Sequence, residues 1–196
     1  MARLTRKETH AQTRARLVET ATRLFLADGF NATSLERVAT EAGYSKGAVY
    51  SNFATKHELG LAVLDAVHAT RAQTLAATVA TVTTADARVE AFADWAERNI
   101  GDVGWTALEV EFATSTRHVP GISGELAARR RTVTDGVAAL LELQAAELGI
   151  ALRVPAADAA VHLLALGIGL GVQRAFDPDL PVTSLVDQLR AMLTGG

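Results

Sequence analysis

The sequence predicts an all-α protein of nine helices, with a small helix-turn-helix head at the N-terminus and a helical-bundle body behind it. Three observations predict this class. Apolar residues recur at i, i+3, i+4 and i+7 along most of the chain. Hydroxyl residues stand three before a glutamate at Thr33–Glu36 and Thr55–Glu58, the spacing of a capping box, and Gly29, Gly43 and Gly149 stand where helices end. The β-branched run Thr81-Val82-Thr83-Thr84 breaks the helical pattern but is too short to make a convincing strand.

The elements follow in order. Residues 1–8 form a polar tail whose Arg3, Arg6 and Lys7 can approach a phosphate backbone. Helix one is expected from about Thr9 to Asp28, with Leu17, Ala21, Leu24 and Phe25 as its buried stripe. Gly29 ends it, and Phe30 packs back beneath the next two helices. Thr33 is expected to cap helix two, which buries Leu35, Val38, Ala39 and Ala42 and ends at a left-handed Gly43. Ser45 caps helix three, about Lys46 to Asn52, with Val49 and Phe53 pointing inward. Helix four starts at Thr55 and carries Leu59, Ala62, Val63, Ala66 and Val67 toward Val79. Val89, Phe92, Ala93, Ala96 and Ile100 mark helix five. Trp105, Leu108 and Phe112 mark helix six, stopped before Pro120-Gly121. Helix seven is read from Ser123 to Leu148. Helix eight runs from Pro155 to about Phe176, and helix nine from Ser184 to Leu193.

Composition narrows the function. The 196 residues suffice for one or two small domains. There is no cysteine, which excludes disulfides and thiolate metal sites and fits a cytoplasmic location. No run of about 18 uninterrupted apolar residues occurs, so no membrane span is expected. The stretch from Ala156 to Val172 comes nearest but contains Asp158 and His162. The net charge of −3 is unevenly spread: residues 1–60 carry +3 and residues 61–196 carry −6. A basic head on an acidic body suits a nucleic-acid-binding head on a regulatory body.

Helix three has the outer face such a head needs. With Val49 and Phe53 inward, Lys46, Gly47, Ala48, Tyr50, Ser51 and Asn52 are expected to face out. A helix fits the major groove, and small residues let its backbone approach base edges. Lys46, Tyr50, Ser51 and Lys56 can reach phosphates or bases, and Asn52 offers a donor and an acceptor to an adenine edge.

The run Ala39-x-x-Ala42-Gly43-Tyr44-Ser45-Lys46-Gly47-Ala48-Val49-Tyr50-x-x-Phe53-x-x-Lys56-x-x-Leu59 resembles the signature of the TetR family of transcriptional regulators. The preceding Leu24-Phe25, Gly29-Phe30 and Ala32-Thr33-Ser34 match as well. The resemblance covers about the first third of the chain. Ala48-Val49 departs from it, since many relatives have a polar residue followed by Leu; one possible base contact is thereby removed. The expected DNA-binding set is Thr33, Ser34, Tyr44, Ser45, Lys46, Gly47, Ala48, Tyr50, Ser51, Asn52 and Lys56. Residues 1–56 would form the DNA-binding domain, and residues 57–196 a ligand-binding and dimerisation domain.

In the body, Phe92, Trp95, Trp105 and Phe112, with Arg117 and His118 nearby, are the candidate lining of a pocket for an unidentified small-molecule effector. Gly167-Ile168-Gly169-Leu170-Gly171 lies inside an apolar helical pattern with no strand before it, so a nucleotide loop is not favoured. Gly167 and Gly171 instead allow close helix packing. The resemblance implies a homodimer through helices eight and nine, with Gly167, Gly171, Leu185 and Leu189 as candidate interface residues. Two heads would then read an inverted-repeat operator in double-stranded DNA. No nucleophile–base pair and no ligand cluster can be drawn, so neither enzyme activity nor a metal or other cofactor is expected. A DNA-binding protein with little sequence choice, or one answering to a protein partner, is the alternative.

Overall fold

A computed structural model of the protein describes residues 6–193; Arg3 of the basic tail lies outside them. Among the described residues there are nine α-helices and no strand. They are α1 (Arg6–Asp28), α2 (Leu35–Ala42), α3 (Lys46–Asn52), α4 (Lys56–Ala80), α5 (Ala85–Asn99), α6 (Val103–Thr116), α7 (Ile122–Leu148), α8 (Ala156–Arg174) and α9 (Thr183–Leu193). The all-α class and the order of the elements are therefore as read from the sequence. α1 begins three residues earlier than expected, and α8 ends at Arg174 rather than Phe176.

The helix ends follow local chemistry. Ser34, not Thr33, caps α2: its hydroxyl accepts the Arg37 amide at 3.1 Å. Gly43 is left-handed at φ 77°, and the Gly43 and Tyr44 amides close back onto Thr40 and Ala39. At the start of α4 the Thr55 hydroxyl accepts the Glu58 amide at 3.1 Å, while the Glu58 carboxylate accepts the Ala54 amide at 2.8 Å. Thr84 caps α5 by accepting from Ala87, so the β-branched run supplies a cap.

The chain divides into two compact units. The first comprises the described part of Met1–His68 together with Ala107–Leu126. Its core holds Leu17, Leu24, Phe25, Phe30, Val38, Val49, Phe53, Leu59, Val63 and Phe112, all buried. Phe30 is the hinge of this packing. Its ring meets Phe25 edge-on at 5.3 Å and Phe112 edge-on at 4.9 Å. Gly60 permits that approach: a Cβ there would stand 2.3 Å from Phe112 and 2.9 Å from Phe30.

The second unit comprises Ala69–Thr106 and Ala127–Gly196, as far as residue 193. Val89, Phe92 and Ala96 of α5, Leu163 and Leu170 of α8, and Leu185, Leu189 and Met192 of α9 form its core. Arg88 is buried and satisfied: it donates to the Val82 and Gln144 carbonyls and pairs with Glu147 at 2.8 Å. Arg174 pairs with Glu97 at 2.7 Å, and this guanidinium first and foremost holds the Glu97 carboxyl below its ordinary value. By length and hydropathy α8 alone among the described helices could cross a bilayer. Of its residues, Ala159, Ala160, Leu163, Leu170 and Gly171 are buried in the protein.

Replacing Phe112 by Ala is expected to lower the stability of the first unit by about 3–5 kcal/mol, the usual cost of an aromatic-sized void. Gly60→Ala is expected to cost about 1–3 kcal/mol by overpacking the same contact. Urea unfolding followed by circular dichroism measures both.

Candidate nucleic-acid interface

The candidate interface is built on α3, which has seven residues. Its N-terminal end is fixed locally: the Ser45 hydroxyl accepts the Ala48 amide at 3.2 Å. Its inner side is anchored by Val49 and Phe53, both fully buried. The side left outside carries Lys46, Gly47 and Ser51, all exposed, and Tyr50, which is 51% exposed. A Cβ on Gly47 would meet nothing closer than the Ser45 hydroxyl at 3.8 Å, so the backbone is open to solvent there. Ser34 and Ser45 are exposed beside this face, while Tyr44 and Ala48 are half-buried. Ser51 donates its hydroxyl to the Ala48 carbonyl at 3.0 Å.

Lys46 pairs with Glu36 at 3.3 Å across the turn. The Glu36 carboxyl is held below its ordinary value by its own backbone amide first and by Lys46 second. Both partners are open to water, so screening leaves the pair weak and Lys46 able to exchange Glu36 for a phosphate.

Two expected contact residues are placed otherwise. Thr33 is fully buried, and its hydroxyl donates to the Gly29 carbonyl at 3.0 Å. Asn52 is only 8% exposed; its amide donates to the Ala48 carbonyl at 2.8 Å, and its Oδ1 is buried without a partner. The reason is spacing: Asn52 lies three residues after buried Val49, hence on the same side of the helix. Asn52 therefore does not belong to the exposed face of α3, where the sequence placed it.

Lys56 is also engaged. Its ammonium donates to the Asn31 carbonyl at 3.2 Å and sits 4.3 Å over the Phe30 ring. Burial pushes it below the ordinary lysine value, and Glu111 opposes that shift. Glu111 also accepts the Phe30 amide at 2.7 Å and the Asn31 amide at 2.9 Å, so one carboxylate satisfies the turn between α1 and α2.

Sequence reasoning missed Glu111 in this role, and it missed Arg14. Arg14, on α1, donates to the Asn52 carbonyl at 2.8 Å, and its guanidinium lies 4.1 Å over the Phe53 ring. The available signal was faint: Arg14 stands three residues before Leu17 and so borders the buried stripe of α1.

The candidate pocket residues are not brought together as one lining. Phe112 is core of the first unit, where Arg117 and His118 are exposed and joined to each other at 2.9 Å. Phe92, Trp95 and Trp105 belong to the second unit. Phe92 and Trp95 stack at 6.0 Å, and Trp105 lies beneath Arg71 at 5.1 Å. A groove of about 550 Å³ opens elsewhere in that unit, lined by Glu142, Ala145, Ile150, Leu152, Arg153 and Ala156 among others.

The candidate interface residues are likewise packed within the chain. Leu185 and Leu189 are 2% and 6% exposed, in the core of the second unit. Gly167 faces Ile100 and Leu185, and Gly171 faces Thr106 and the Gly101 backbone. A Cβ at either glycine would make only ordinary contacts, no nearer than 3.7 Å at Gly167 and 3.5 Å at Gly171. The exposed apolar side of α8 instead carries Val161 and Ile168, 52% and 43% exposed.

Residues 17–63, from α1 into α4, match the family model described as bacterial regulatory proteins, tetR family. The HTH-type transcriptional regulator TtgR of Pseudomonas putida is 41% identical over 70 residues. That stretch is 36% of this chain and spans only a third, 33%, of the relative. Similarity of fold extends much further. NemR of E. coli, in its reduced form, superposes with a TM-score of 0.71 at 20% identity, over 93% of this chain and 97% of the other. A TetR-family transcriptional regulator from Streptomyces coelicolor superposes with a TM-score of 0.65 at 25% identity, over 93% and 95%. Over residues 17–63 the sequence is thus similar to the TetR family of regulators, and the order of the described helices matches the fold of these solved structures.

Proposed function

We propose that the chain is a sequence-specific DNA-binding transcriptional regulator of the cytoplasm, a homodimeric repressor that releases a palindromic operator when a small molecule binds its body. The observation that carries the reading is the exposed face of α3. Lys46, Gly47, Tyr50 and Ser51 stand out on a helix whose other side is locked by Val49 and Phe53. A small residue at Gly47 allows backbone approach, Lys46 offers a cation to phosphate, and Tyr50 and Ser51 offer hydroxyls to base or phosphate. Such a helix in a major groove is the docking mode of helix-turn-helix proteins. The TtgR relative, a transcriptional regulator by name, supports it.

Dimerisation is supported by the apolar side of α8, where Val161 and Ile168 are seven residues apart on one exposed side with Ala165 between them. Effector binding is supported by two buried polar atoms of the second unit without partners, Trp95 Nε1 and Gln144 Oε1. A buried donor and a buried acceptor left unmatched each carry a desolvation cost, which a bound polar molecule would relieve. A ligand shifts DNA binding only by its different affinity for the two states of the protein.

Selection of duplexes from a random pool tests the central claim. An inverted-repeat sequence is expected. Uniform binding with a steep salt slope would favour a protein that coats DNA without choice. Tyr50→Ala is expected to reduce preference for the selected sequence, whereas Lys46→Ala weakens all duplexes and lowers the salt slope by about one. Asn52→Ala is expected to leave sequence preference intact and to change stability by no more than about 1 kcal/mol, because a lost bond and a removed unpartnered oxygen offset. Sedimentation equilibrium is expected to give a dimer, and Ile168→Asp to give a monomer.

A further inference from the structure

Resting on the DNA-binding reading above, we propose that Arg14 is a positioning residue for base readout: it sets the angle at which α3 meets the groove by pinning the C-terminal end of that helix. The two ends of α3 are held differently. The N-terminal end is secured by neighbours in sequence, through Ser45 and the left-handed Gly43. The C-terminal end is secured across 38 residues, by the Arg14 guanidinium on the Asn52 carbonyl at 2.8 Å. That carbonyl is one of those a helix end leaves without an intrahelical partner, and a cation there also matches the helix dipole.

The same guanidinium lies 4.1 Å over the Phe53 ring, the residue that closes α3. One guanidinium thus makes both a hydrogen bond to the backbone and a cation–π contact with the ring. Together these fix both the distance and the tilt of the helix end. A lysine ammonium can reach the carbonyl but offers no plane to stack, so Arg14→Lys keeps the charge and loses the tilt constraint.

The consequence falls on the side chains of the last turn. Tyr50 and Ser51 lie there, beside Asn52 and Phe53. Bonds to base edges tolerate errors of only about 0.5 Å and 10–20°. Attraction to phosphates is long-ranged and tolerant of tilt. A loosened helix end therefore reduces discrimination among sequences more than it reduces attraction to DNA as such.

The test compares the full chain with its Arg14→Lys variant on two duplexes, the sequence the unaltered protein selects from a random pool and a scrambled one, across a range of salt. The variant is expected to cut the ratio of the two affinities by about tenfold, a fraction of one base pair's usual discrimination lost at several contacts. Affinity for the scrambled duplex and its salt slope are expected to stay within about twofold. An equal loss on both duplexes would overturn the proposal, since Arg14 would then act on attraction to DNA as such and not on base readout. An unchanged ratio would overturn it too. Phe53→Leu keeps the core apolar and removes the stacking ring; it is expected to reproduce the loss, and supplies the measurement should Arg14→Lys fail to fold by circular dichroism. A protein that prefers no sequence at all before substitution would defeat the DNA-reading function itself, whereas a preference that survives in both variants defeats only the role of Arg14.

Discussion

A helix of seven residues cannot persist by itself, because nucleation costs more than so few hydrogen bonds return. α3 exists because the first unit holds it. Val49 and Phe53 are inserted into a core made by α1, α2 and the start of α4, and Ser45 and Arg14 secure the two ends. The outer face is then free to carry residues chosen for something other than folding. Gly47, a poor helix former, and exposed Tyr50 are tolerated there because the inner side supplies the stability.

The same core explains why the head includes residues distant in sequence. Phe30 alone would close the base of α1 to α3 poorly, and Phe112 completes the cluster from more than eighty residues away. Glu111, one residue earlier, satisfies the two amides that follow Gly29. A part-buried amide without a partner is costly, so the Phe30 amide in the turn between α1 and α2 depends on a carboxylate from α6. α4 and α6 each have one end in the first unit and the other in the second.

Several residues changed meaning between sequence and structure, and the changes share a cause. Thr33 and Ser34 are adjacent hydroxyls with acidic or basic residues at suitable spacing, so the sequence admits either as the cap. The fold selects Ser34 because Thr33 is drawn into the core and bonded to Gly29. Leu185, Leu189, Gly167 and Gly171 form apolar and small-residue patterns that say a neighbour is close. The pattern cannot say whether that neighbour is α5 and α8 of the same chain or a second copy. The aromatic residues between Phe92 and Phe112 are near in sequence, yet they divide between two units.

What the sequence determined by itself is whatever short-range bonding fixes: the nine helices of the described residues, the left-handed turn at Gly43, the caps at Ser45 and Thr55, and the inward side of α3 marked by Val49 and Phe53. Those features join residues no more than about four apart, where backbone geometry leaves few alternatives. Tertiary structure alone decided which polar side chains are spent on holding the head together. Arg14, Asn52, Lys56 and Glu111 all look available in the sequence. Their roles became visible only once folding brought Arg14 to Asn52 and Glu111 to Phe30, because a polar group's partner is set by three-dimensional proximity and not by its place in the chain.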